Sequence, residues 1–148
     1  MTLEYVQLGN VVVNRWSGEV TVSDVDTAFR VAAAAHGQVG PISNIAILAE
    51  GMKMPGLDAI ERMKRDQVKM LSYHRSVQYL ILVGGFTASR AISMVVSILT
   101  SGTRGMMTFE KTAKDAVLRA ESFGALNTTH EAIYQQLKTY GVPSNRMT

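Results

Sequence analysis

The stretch ISNIAILAEGMKMPGLDAIERM, residues 42–63, decides how the chain is read. It opens with β-branched and apolar residues in a short run, which favours extended backbone. Two glycines and Pro55 then turn the chain. From Leu57 the apolar positions change to a helical rhythm, Leu57, Ile60, Met63 or Lys64, Val68 and Leu71, with Arg62, Arg65, Asp66 and Lys69 covering most of the remainder. Strand, turn and amphipathic helix in that order make half of a βαβ unit.

The same alternation continues on both sides. Upstream, LEYVQLGNVVVNRWSGEVT, residues 3–21, gives two strands with Gly9-Asn10 as their turn. Ser23 begins a helix, with Asp26 three residues on in a capping-box-like pattern, and Gly37 ends it. Downstream, VQYLILVGG is almost continuously apolar, as suits a central strand covered on both faces. TASRAISMVVSILTSG is a third helix, RGMMTF a short strand, KTAKDAVLRAESFG a fourth helix and THEAIYQQLKTYG a fifth. The order β-β-α-β-α-β-α-β-α, with an added C-terminal helix, predicts an α/β fold: a small mixed sheet flanked by helices. Residues 1–123 form the α/β domain, and 124–148 a helical extension whose last stretch, VPSNRMT, frays.

Composition narrows the function. The 148 residues are 47% hydrophobic and carry a formal charge of +3, a weak bias toward anionic partners. With no cysteine there is no disulfide, thiolate nucleophile or cysteine metal site. The N-terminus lacks the basic start and apolar core of a secretion signal, and no apolar run is long enough to span a membrane, so a cytoplasmic protein is expected. His36, His74 and His130 stand in no metal-ligand spacing, the acidic residues fit helix starts and solvent faces, and neither a cofactor nor catalysis is expected. Arg62, Lys64, Arg65 and Lys69 are interrupted by Asp58, Glu61 and Asp66, with no recognition-helix or zinc-finger pattern, so no nucleic-acid partner is expected.

Three pieces of the chain resemble STAS domains, the sulfate-transporter and anti-sigma-factor-antagonist class with its SpoIIAA-like members. They are the opening hairpin running into the first helix, the strand, loop and helix of 42–63, and RGMMTFEKTAKDAVLRA, residues 104–120. The resemblance implies a switch or docking module, often with a kinase-like anti-sigma partner and a phosphoacceptor Ser or Thr in the loop before the second helix. Here that loop is AEGMKMPGL, with no hydroxyl side chain, and Pro55-Gly56 stands near the acceptor's place.

Three surfaces follow. The loop and second helix, with Glu50, Met52, Lys53, Met54, Arg62, Arg65 and Lys69, are a partner-docking region, a ligand site at the helix start, or a plain turn and solvated face. The unusually apolar third helix, with Ile92, Val95, Val96 and Leu99, is a self-association face, an internal packing surface or the wall of an apolar pocket. Thr87 and Arg90, after Gly84-Gly85, are a helix cap with a surface arginine, or an anion site that lacks the nucleotide P-loop pattern. The expected function is a regulatory protein-interaction module, self-associating as a homo-oligomer; the alternative is a carrier or sensor of a small apolar or acidic ligand.

Overall fold

The computed structural model describes residues 3–82 and 105–148. Strands β1 (Leu3–Leu8) and β2 (Val11–Trp16) form the opening hairpin. Helix α1 (Val22–Val39), β3 (Ile42–Leu48), α2 (Leu57–Ser72) and β4 (His74–Ile81) follow, then β5 (Met107–Glu110), α3 (Ala113–Ser122) and α4 (His130–Thr139). The strands lie in chain order, β1-β2-β3-β4-β5, with β1 antiparallel to β2 and every later pair parallel. This is the expected mixed sheet. The third expected helix lies outside the described residues.

Alternation along the strands divides the core. Val11, Val13, Ile45, Ile47 and Leu80 face α3 and α4, meeting Ala113, Ala116, Val117, Ile133 and Leu137. On the other face Val12 and Ile42 pack on Ala32 and Ala35 of α1, while Leu48 and Ile81 meet Val20, Val25, Met52 and Ala59. The alanine run of α1 brings that helix close to the sheet, because a methyl side chain occupies little depth.

Three local expectations are corrected. Thr21, not Ser23, caps α1: its hydroxyl accepts from the Asp24 N–H at 3.3 Å and its N–H donates to the Asp24 carboxylate at 2.9 Å. Asp26 thereby lies on the body of the helix, available to a neighbour. Gly37 sits inside α1, which ends at Gly40, whose φ of 78° favours glycine. The tail, expected to fray, is docked. Arg146 donates through Nε to the Lys111 carbonyl at 2.6 Å and through its guanidinium to the Ile81 carbonyl at 2.7 Å, and Met147 is buried in the α3–α4 core. Residues 124–148 complete that core through Ile133, Leu137, Val142 and Met147.

Candidate functional site

The joint after β3 and the start of the joint after β4 share the carboxyl edge of the parallel strands, where the Leu82 N–H donates to the Leu48 carbonyl at 2.9 Å. The loops here join the parallel strands to the segments that follow them. Thr87 and Arg90 of the second joint, and Ile92, Val95, Val96 and Leu99 of the apolar helix, lie outside the described residues.

The first joint is held more firmly than its composition suggests. The Lys53 N–H donates to the Gly18 carbonyl at 2.8 Å, and Lys53 bridges to Glu19 as a short parallel pairing. Met52 turns inward and is only 7% exposed, packed with Val20, Val25, Leu48, Ala59 and Ile81. The expectation that Met52 faces a partner is corrected: the loop between two strand ends has a hydrophobic floor to fill, and the flexible thioether fills it. Glu50 and Lys53 remain exposed and Met54 is half-buried.

Arg62, Arg65 and Lys69 of α2 are engaged within the fold. Arg62 donates to Asp26 of α1 at 2.6 Å, tying the two helices together. Arg65 makes a two-pronged contact with Asp66, at 3.0 Å from Nε and from the terminal nitrogen; this hydrogen bonding holds the Asp66 carboxyl below its ordinary range and raises the guanidinium. The Lys69 ammonium lies 5.9 Å from the centre of the Phe29 ring. Asp58 accepts from the Ala59 N–H at 2.8 Å, so the helix start meets its own carboxylate.

The apolar face of α2 is also different from the expected one. Ala59 is fully buried, with Met63 half-buried against the same cluster. Leu57 is 79% exposed and Val68 70%. These two stand about three turns apart and so share one line on the outer surface, with Glu61 and Lys64 between them. Helix α2 therefore carries two apolar stripes on opposite sides. The small Ala59 lets the helix backbone approach the sheet edge, and that choice turns Leu57 and Val68 into water. The missed signal is this competition: Ala59, Met63 and Met70 also follow helical spacing.

A second feature of the carboxyl edge is a polar recess of about 370 Å³, reached by Arg15, Glu50, Tyr140, Asn145 and Arg146. Its wall is the docked tail. Arg15 also pairs with Glu4 at 3.2 Å. Burial, with the nearby Glu4 charge, pushes the Tyr140 hydroxyl up, so it stays a neutral hydrogen-bonding group.

Among the described residues no group of His, Asp and Glu is arranged to hold a metal ion, and no helix is long and apolar enough to cross a membrane. No family model, curated protein or solved structure gives a significant match to the chain.

Proposed function

We propose that this chain is a non-enzymatic, cytoplasmic docking module of the STAS-like kind, and that its partner-facing surface is the outer stripe of α2. One observation carries the reading: Leu57 and Val68 are large apolar side chains, 79% and 70% exposed, on one line of a helix whose other stripe is already packed. Exposed apolar side chains are ordinary when scattered, but an aligned pair on an amphipathic helix gives a partner two anchor points. Glu61 and Lys64 are exposed between the two anchors and favour a partner that carries charges of both signs around its own apolar anchors. The inward turn of Met52 moves the expected surface by one helix face. Phosphorylation control at the 49–57 loop has no hydroxyl to act on.

Selection of displayed peptides on the folded protein tests this. The expected winners carry apolar residues at helical spacing with charged residues between them, and they lose binding to a Leu57→Glu, Val68→Glu variant. Winners that bind this variant equally well would place the docking surface elsewhere.

The recess favours a second reading, a carrier of a small acidic ligand, because two arginines line an opening of about 370 Å³. Native mass spectrometry of gently purified protein distinguishes it. A retained anionic ligand that Arg15→Ala releases supports the carrier, and bare protein throughout speaks against it.

A further inference from the structure

We propose that a small cavity between α1 and the sheet is a binding site for one water molecule, held by the side-chain oxygens of Asn14 and Asn44. The cavity has a volume of about 10 Å³, room for one water molecule. Its floor is the α1 face of the first three strands. There Tyr5 stands opposite Asn14 in the hairpin, and Val12 opposite Asn44 in the parallel pair. Alternation along β2 and β3 puts both asparagines on the same face as the buried Val12 and Ile42. Ala28, Val31 and Ala32 of α1 form the roof. These side chains are short and apolar, so they neither fill the space above the amides nor bond them.

Two acceptors line this space without a donor. Asn14 is only 5% exposed, and its Oδ1 is buried with no hydrogen-bond partner among the described residues. The Oδ1 of Asn44 is buried and unpartnered in the same way. His74 sets the orientation of the Asn44 amide. Its Nδ1 lies 2.8 Å from the Met70 carbonyl, which can only accept, so Nδ1 carries the proton. Burial favours the neutral ring, which leaves Nε2 as a bare acceptor. The Asn44 Nδ2 donates to that nitrogen at 3.4 Å. With Nδ2 committed to His74, Oδ1 is the amide atom that Asn44 turns to the cavity.

The chemistry of the lining selects the occupant. A buried amide oxygen without a donor is costly, and two of them around one small space call for a molecule that donates twice. Water supplies both hydrogens and matches the volume. A metal cation does not suit the site: it would find two amide oxygens and no carboxylate among the lining residues, and an uncompensated charge inside the fold is strongly unfavourable. The water completes a run of hydrogen bonds that starts at the Met70 carbonyl in the last turn of α2, passes through His74 and Asn44, and ends at Asn14 on β2. The site shares no residue with the α2 stripe or with the recess at the carboxyl edge.

Nuclear magnetic resonance of the isotope-labelled chain tests the site by magnetisation transfer from water protons to methyl groups. The methyls of Val12 and Ala32 line the cavity and are shielded from bulk solvent. They are expected to show cross-peaks at the water frequency, with opposite signs in laboratory-frame and rotating-frame spectra, the mark of a bound rather than a passing molecule. Tyr5 carries the one exchanging hydroxyl among the lining residues, so Tyr5→Phe is expected to keep the cross-peaks. Asn14→Leu removes one acceptor and fills the space, and is expected to lose them. A wild-type chain without these cross-peaks, their loss in Tyr5→Phe, or their persistence in Asn14→Leu would overturn the proposal. If Asn14→Leu does not fold, the wild-type and Tyr5→Phe spectra decide.

Discussion

Arg62 and Asp26 illustrate how one contact redirects a helix surface. Their 2.6 Å ion pair holds α2 against α1, and it takes from the surface a cation that sequence spacing offers to a partner. Both side chains keep partial contact with water, so the pair contributes about 0.5–1 kcal/mol, and Arg62→Ala is expected to cost no more than that in chemical denaturation. Met52 matters more. It closes the cluster beneath the first joint, and Met52→Ala is expected to destabilise by about 2–3 kcal/mol, measured as a lowered urea midpoint at unchanged slope. An unchanged midpoint would show that the side chain is not packed there. His74 gives the fold a pH dependence. Burial depresses its pKa below the ordinary 6.5 of a histidine; a hydrogen bond to the Met70 carbonyl at 2.8 Å partly opposes this, and the nearby His36 lowers it further. The native state therefore prefers the neutral ring. Stability is complete above about pH 6.5 and is lost as the pH falls from there through the depressed native value, because the unfolded chain takes up the proton first. A His74→Gln variant is expected to lose this part of the slope in urea midpoints between pH 7 and pH 5; a slope identical to wild type would assign it to another group.

The elements were legible where each sequence signal had no rival. The hairpin turn at Gly9-Asn10 and the apolar β4 each follow from one dominant feature. Signals with competitors were misread for identifiable reasons. Thr21-Asp24 and Ser23-Asp26 are both capping pairs by spacing, and only the path of the preceding chain chooses between them. Ala59-Met63-Met70 and Leu57-Val68 are both stripes on α2, and hydropathy ranks the larger residues first although the smaller one allows closer packing. The tail looked unattached because its anchor is long-range: Arg146 meets a carbonyl at Ile81, which no local pattern reveals. Arg146→Ala is expected to lower stability by about 1–2 kcal/mol, since two carbonyls lose a charged donor, and to raise amide exchange selectively in residues 142–148. Uniform exchange across the chain would argue against a local clamp.

For the whole molecule, one sheet positions all the surfaces discussed. Its carboxyl edge gathers the first joint and the recess, and the outer helix α2 displays the Leu57–Val68 line. The sheet could be read from sequence because strand and helix order follow from periodicity, whereas the face that a helix leaves uncovered is decided by packing, as at Ala59 and Leu57. Calorimetric titration of the best selected helical peptide into wild-type protein and into the Leu57→Glu, Val68→Glu variant tests the docking claim most directly. Each lost anchor is worth at least about 1.5 kcal/mol, so the account predicts a loss of about a hundredfold in affinity at unchanged thermal stability, both side chains being already in water in the free protein. Equal affinity for the two proteins would contradict it.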